Sequence, residues 1–418
     1  MANNSDVVDH IVATLDGVNL DQVDSDPGAR MRVIDAARRM LARVETPFER
    51  MWHVAQVNIT LTAACRILVD IGLFEAWREA GGKDALLMEL WELCRIHCDM
   101  ALLRRLLRLC VAANMIEEVD EDHYRATAFS LALGIPGGPV VESLNGAFHH
   151  TIPSTSNLPK WLARNHYEAP NDPKNTPYMD ISPGKLGIFE TWAKEPSLQA
   201  SFIGMMVGFA DMRMDWTDIY DTDRLVEGYD FGNNDGTLLV DVGGAQGVDV
   251  KRLLDKQPQI PPGHIVLQDL PDVVGAAVVD DRVEITGHDF FKEQPVIGAR
   301  AYLMHAVLHD WDDIEARRIL KHVARAMKEG YSKLLICDVV IPPKGASLYQ
   351  AVQDVSLLHL LSAAERSESR WIKLLKRAHF EVVKFWTHDQ SPECVIEAQL
   401  AAAKTQNKQS GSTDSDED

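Results

Sequence analysis

Two groups of residues in this chain have types that can do chemistry. The first is an imidazole with two carboxyls, His309, Asp338 and Glu365. A histidine titrates near about 6.5 when unperturbed, so it can act as a general base at neutral pH, and acids beside it orient the ring and stabilise its charged form. The second group suits a nucleoside. Asp241-Val242-Gly243-Gly244-Ala245-Gln246-Gly247 is a glycine turn, Asp269 stands in Gln268-Asp269-Leu270-Pro271, and Asp289 in His288-Asp289-Phe290-Phe291. Glycines let the backbone approach a ligand closely and adopt positive φ. The turn alone is a weak signal, and its spacing departs from the Gly-x-Gly-x-x-Gly of dinucleotide sites. Asp269, at the end of the following strand, can grip a ribose diol, and Phe290 and Phe291 can flank an adenine. Three acids at strand ends suit a ribose-bearing ligand with net positive charge and suit a phosphate poorly.

Short apolar runs predict strands at 238–242, 265–268, 283–287, 301–305 and 333–339, separated by helices at 248–256 and 313–328. Such alternation predicts an α/β fold with a doubly wound, mostly parallel sheet, whose ligand lies beyond the carboxyl ends of the strands. The strand at 301–305 runs directly into Met304-His305-Ala306-Val307-Leu308-His309-Asp310-Trp311. That position, rather than the residue type, singles out His309 among fifteen histidines.

Earlier in the chain, helical spacing of apolar residues predicts helices at 33–44, 48–73, 84–94 and 100–114, the last capped by Asp99, then a short hairpin at 116–126. Helices followed by a small hairpin read as a winged-helix-like module. The Arg104-Arg105-Arg108 cluster would support DNA binding, but the acidic turn Asp120-Glu121-Asp122 and a net charge of -20 argue for a solvated or inter-subunit face. Eight prolines between 136 and 183 predict connecting structure without long helices, over a pocket. Met205, Met206 and Phe209 form a stripe that suits either core packing or a planar ligand. The chain thus divides into a flexible acidic start (1–30), a helical winged-helix-like domain (31–135), a connecting and pocket segment (136–235), a Rossmann-like domain (236–400) and a disordered acidic tail (401–418).

Composition excludes several classes. Apolar residues at 46% and charged residues at 25% fit a well-filled globular core. Sixty-two acidic against forty-two basic residues repel phosphate backbones and anionic membranes, so neither nucleic acid nor membrane is expected as a partner. The polar start and the lack of a long apolar run predict a cytoplasmic protein. Six scattered cysteines predict no disulfide framework, and Cys94, His97 and Cys98 read as helix residues rather than half of a zinc site, so no metal is expected.

In order, Asp241-Val242-Gly243-Gly244, Gln268-Asp269-Leu270-Pro271, His288-Asp289-Phe290-Phe291, Leu308-His309-Asp310-Trp311, Glu365-Arg366-Ser367 and Trp371-x-x-Leu374-Leu375-x-x-Ala378-x-Phe380 resemble the motifs of plant caffeate-type and fungal small-molecule O-methyltransferases, across residues 35–395. The resemblance implies a class I enzyme that uses S-adenosylmethionine (SAM), a winged-helix-like dimerisation domain and a homodimer. It implies that Gly243 and Gly244, with Asp241, hold the methionine end of the cofactor, Asp269 the ribose, and Asp289 with Phe290 the adenine. It makes His309 the base and Asp338 and Glu365 the flanking acids. Two departures stand out: Ala245 replaces a frequent third glycine, and His305 stands where the family usually places an Arg or Lys on the cofactor. An aromatic or polyketide-like acceptor is expected, because a phenol (pKa of about 10) is far easier for an imidazole to activate than an aliphatic alcohol. Asp310, Leu358, Met205, Met206 and Phe209 are the expected substrate contacts, with His149 and His150. That histidine pair also keeps open a cofactor-bound dehydration or pericyclic reaction without methyl transfer.

Overall fold

The computed structural model describes residues 4–18, 27–232, 236–275 and 277–402; all but the first two residues of the tail expected at 401–418 lie outside them. Two compact units emerge, one of Met1–Ile152 with Trp192–Met212, the other of Pro153–Thr191 with Arg213–Asp418. The expected segment 136–235 is thus shared between them.

The first unit is helical. Part of its start, expected to be loose, forms a helix at Asn4–Asp16. Helices Asn58–Asp70, Leu73–Glu79, Leu87–Leu93 and Met100–Ala112 bury Leu68, Phe74, Trp77, Leu90, Leu103, Leu107 and Cys110 in one core. The helix expected across 48–73 runs without a break from Pro47 to Asp70, through a π-turn at His53–Val57, before Gly72 caps the next. The helix expected at 84–94 begins instead as a strand, β1 (Ala85–Leu86), because it pairs with β3 (His123–Ala126), which pairs in turn with β2 (Ile116–Asp120). The Asp99 carboxylate accepts from the Leu102 N–H, as the cap predicts. Asp122 takes the Arg104 guanidinium at 2.7–3.1 Å, so the hairpin turn neutralises the first of the three clustered arginines. Cys94 ends its helix with its thiol on the Leu90 carbonyl.

Prolines do not prevent helices at 136–183. Pro139 opens Pro139–Gly146, where its missing N–H costs nothing, and Ile152–Arg164 carries Pro159 inside it.

The second unit holds an eight-stranded sheet: β4 (Leu239–Val242), β5 (Ile265–Asp269), β6 (Val283–Gly287), β7 (Ala301–His305), β8 (Lys333–Ile341), β9 (Arg366–Ser367), β10 (Phe380–Thr387) and β11 (Glu393–Leu400). Their order is β10-β11-β8-β7-β4-β5-β6, with β9 on β8. β4 to β8 are parallel, and β10 and β11 add an antiparallel edge absent from the sequence reading. The central strands are apolar and buried on both faces, as covered parallel strands must be, with Val240, Val242, Val266, Tyr302, Leu334 and Ile336 in one core layer. After β6 the chain returns to the other side of β4. The strand order therefore reverses between β4 and β7, and the crevice at their carboxyl ends is where such sheets bind ligands. No single described helix is long and apolar enough to cross a membrane.

Candidate active site

The glycine turn leaves β4 at this crevice. Gly243 (φ 78°) and Gly247 (φ 77°) take left-handed backbone, and Gly247 starts the helix Val248–Lys256. Gly243 and Gly244 donate their N–H groups to the Gln268 carbonyl at the end of β5, at 2.8 and 3.0 Å. Ala245 also adopts positive φ (47°), strained for a residue with a Cβ, and is held there by its N–H on Asp269 Oδ2 at 2.9 Å. Asp269 Oδ1 accepts from the Leu270 N–H, and burial raises the Asp269 pKa against those two bonds.

Asp241 is fully buried beneath the turn, and neither carboxylate oxygen has a hydrogen-bond partner within the chain. Burial, then Asp249, raises its pKa well above the carboxylate range, while His305 opposes the rise. A side chain at Gly244 would overlap Asp241 Oδ2 at 2.3 Å, and one at Gly243 would come within 2.9 Å of Val307 and 3.6 Å of the Phe290 ring. The turn is therefore a bare-backbone cradle with an unsatisfied acid under it and an aromatic ring across it. Phe290 lies edge-on to Trp311 at 6.0 Å, and Phe291 edge-on to Trp311 at 4.7 Å. The Asp289 carboxylate accepts from the Phe291 N–H at 2.9 Å. Bare backbone, unpartnered carboxylate and aromatic wall fit a sulfonium nucleoside, which brings positive charge, hydroxyl donors and a purine.

His309 follows β7 on the short 3-10 turn Leu308–Asp310. Its Nδ1 lies 3.0 Å from Glu365 Oε1 and 3.5 Å from Asp338 Oδ1, and its Nε2 lies 3.5 Å from Asp310 Oδ1. Burial alone would lower the imidazole pKa, but Asp338, Glu365 and Asp310 outweigh it and hold the ring up at about 10. Burial also lifts Asp338 to about 7 and Asp310 to about 6, against the pull of His309.

Charged residues that sequence reasoning left aside fix this turn. Arg366, nearly fully buried, donates to the carbonyls of Leu308 (2.7 Å) and Trp311 (2.6 Å) and to Asp313 (2.9 Å), clamping the turn on both sides of His309. Asp354 accepts the Glu365 N–H at 2.9 Å. Adjacency of Arg366 to Glu365 was the available signal. The two ring nitrogens of His305, a residue expected on the cofactor, face Asp249 and Glu393 within the chain.

The expected substrate residues fall in both units. Asp310 and half-buried Leu358 accompany His309 in the sheet unit. His149, His150, Met205, Met206 and Phe209 belong to the helical unit. There His150 is buried, accepts the Trp192 indole N–H at 3.1 Å and is pushed down to about 4 by burial and by His149, so it is a neutral imidazole. A separate cavity of about 430 Å³, lined by Tyr220, Gln257 and Trp386, shares no residue with the His309, Asp338 and Glu365 cluster.

The sequence matches the family described as O-methyltransferase domain over residues 182–381. It is 40% identical to the O-methyltransferase ATR12 of Stachybotrys chlorohalonatus over 392 residues, covering 93% of this chain and 98% of the relative. It is 34% identical to the O-methyltransferase mfmE of Annulohypoxylon moriforme, covering 93% and 95%. The chain belongs to the O-methyltransferase family. It is a SAM-dependent enzyme of secondary metabolism. Among solved structures, LepI in complex with SAM superposes with a TM-score of 0.83 at 26% identity, over 95% of this methyltransferase and all of LepI. OxaC in complex with sinefungin and meleagrin superposes with a TM-score of 0.77 at 26% identity, over 95% and 97%. A structure described as a pericyclic reaction enzyme is also similar, with a TM-score of 0.81 at 25% identity, over 94% and 99%.

Proposed function

We propose that this methyltransferase transfers a methyl group to a phenolic or enolic hydroxyl of an aromatic or polyketide-like small molecule, with His309 as general base. The observation that carries the reading is the His309 contact set. With Nδ1 donating toward Glu365, the neutral ring keeps its acceptor lone pair on Nε2, the nitrogen that faces Asp310 at 3.5 Å. Glu365 and Asp338 hold the ring in that orientation and stabilise the imidazolium formed when it takes a proton.

SAM supplies an electrophilic sulfonium methyl. Gly243, Gly244 and Asp241 would hold its methionine end, Asp269 its ribose hydroxyls, and Asp289 with Phe290 its adenine. The acids around His309 raise its basicity, and a phenol, of pKa about 10, is the hydroxyl such an imidazole can most readily deprotonate. Positive charge at the glycine turn opposes protonation of the nearby imidazole and so frees His309 as a base near neutral pH. Alignment contributes the rest, since well-oriented groups gain on the order of 7 to 11 kcal/mol.

The helical unit is the proposed dimerisation domain, with winged-helix-like architecture. Phe48, Met51, Trp52, Val54 and Ile59, all on consecutive helical turns, are more than half exposed. Contiguous apolar surface of this kind marks an association face.

The test is product mass spectrometry after incubation with labelled SAM and a panel of phenols, enols and aliphatic alcohols. Label in a phenolic or enolic ether supports the reading. Turnover of a substrate to an isomer or dehydrated product with SAM unconsumed would replace it with pericyclic chemistry, the reaction class of one structural relative.

A further inference from the structure

Beside the base, the crevice holds a second buried ionic cluster that proton abstraction does not use. His305, at the end of β7, lies with Nδ1 2.8 Å from Asp249 Oδ2 and Nε2 3.3 Å from Glu393 Oε2. Arg213 donates Nη1 to Glu393 Oε1 at 2.7 Å and lies 3.4 Å from His305 Nε2. Ligand atoms of His305, Cys337 and Glu393 all fall within 4.8 Å of one another, the scale of a metal site. The Arg213 guanidinium already supplies the cation that Glu393 needs, and Asp249 takes the other imidazole nitrogen. The cluster is an ion-pair network.

Its members come from elements that have to be held in register: Asp249 from the first turn of the helix after the glycine turn, His305 from β7, Glu393 from β11, and Arg213 from the segment after Met212. Around the turn itself stand three acids, Asp241, Asp249 and Asp269, and the last two add to the rise of the Asp241 pKa that burial causes. Grouping buried negative charge costs several kcal/mol per uncompensated ion. His305 is the cation that opposes the rise of Asp241, and Arg213 joins it through Glu393.

We propose that His305 and Arg213, bridged by Glu393, are positioning residues that hold Asp249 and balance the carboxylates under the glycine turn, and so set its affinity for a cationic cofactor. The inference rests on the reading of that turn as the SAM site. It gives His305 a role through other residues, where the family's usual Arg or Lys would reach the cofactor directly.

The charge states agree with the geometry. Burial alone would discharge His305, but Asp249, Cys337 and Glu393 outweigh it and keep the ring protonated. Glu393 is held down at about 2: burial would raise it, and His305 and Arg213 prevail. Among the described residues, the titratable and charged groups that act on His305 are Asp241 on β4, Asp249 on the helix, Cys337 and Asp338 on β8, Glu393 on β11, Arg213, and Tyr349 on the helix Leu348–Leu361.

The experiment is calorimetric titration of the full chain with SAM and with S-adenosylhomocysteine at pH 6 and pH 8, alongside melting curves and steady-state kinetics. His305→Gln should weaken SAM binding roughly tenfold, because one partner of a buried pair has been removed. The loss should deepen at pH 6, where the unbalanced acids take up protons, whereas wild type changes little between the two values. Binding of S-adenosylhomocysteine, which lacks the sulfonium charge, should fall less. In kinetics the change should appear in KM for SAM more than in kcat, and His305→Lys should restore affinity to within about threefold of wild type. A folded His305→Gln that binds SAM within twofold of wild type at both pH values overturns the proposal. If His305→Gln does not fold, the charge-conserving His305→Lys and Arg213→Lys decide: near-wild-type SAM affinity supports a charge-based role, and tenfold weaker binding in folded protein overturns it. Asp269→Asn serves as the control. Unweakened SAM binding there refutes the glycine-turn site itself, whereas weakened binding there with His305→Gln unaffected refutes only the positioning role.

Discussion

A methyl group added at Gly244 would put its carbon 2.3 Å from Asp241 Oδ2, 2.4 Å from its Cγ and 2.5 Å from Leu267 Cδ1. Ordinary contact begins at 3.4 Å, so turn and acid must separate by about 1 Å. Asp241 cannot give way, because it is fully buried in β4 between paired strands on either side. The turn must move instead. Overpacking of this kind costs about 1–3 kcal/mol, which converts to roughly ten- to hundredfold in an equilibrium constant, and a 1 Å misplacement in a site costs on the order of 10²-fold. Gly244→Ala is therefore expected to weaken SAM and S-adenosylhomocysteine binding by about two orders of magnitude in a calorimetric titration. Gly298→Ala is the matched control: it too has left-handed backbone (φ 74°) but nothing within 4 Å of its new carbon, so it should lose about 1 kcal/mol of stability and no affinity. A folded Gly244→Ala that binds SAM within twofold of wild type would refute the cradle.

Two further outcomes follow from charge and exposure. Because Asp338, Glu365 and Asp310 override burial and hold His309 at about 10, and the active base is the neutral ring, kcat/KM should climb with pH through neutrality toward 10. With SAM bound, kcat should level off at lower pH; a kcat/KM profile already flat by pH 7 contradicts this. The sign for stability is opposite: a pKa raised above the unfolded value of about 6.5 adds stability that is fully present below that pH and lost as pH rises toward 10, readable in melting curves. If Phe48, Trp52 and their neighbours form the association face, Phe48→Glu with Trp52→Glu should convert a dimer to a monomer in light scattering, and an unchanged mass argues against that face.

The sheet was legible where the chemistry is. Apolar runs at 239–242, 301–305 and 333–341 are buried over most of their length, so their strand signal is continuous; the turns after the first two carry the glycines and His309, and Asp338 lies within the third. The edge hairpin β10 and β11 was not legible, because Phe380–Thr387 alternates buried with exposed residues and mixes charge into its apolar run. The helices among the prolines were hidden for a local reason: Pro139 occupies the first turn, where helices accept proline. Arg366, Arg213 and Glu393 escaped notice because charged residues are read as surface by default, and only the fold reveals that each is buried against a partner. The partners of His305 were hidden for the same reason, since Asp249 and Glu393 lie far from it in sequence.

The most direct test of the account is His309→Gln, measured for SAM affinity and for single-turnover methyl transfer to a phenolic acceptor that wild type methylates. A base of this kind contributes about 10²- to 10⁴-fold, so transfer should slow by at least two orders of magnitude while SAM binds within about threefold of wild type. Transfer within tenfold of wild type, in protein that still binds SAM, would contradict the assignment of His309 as the base.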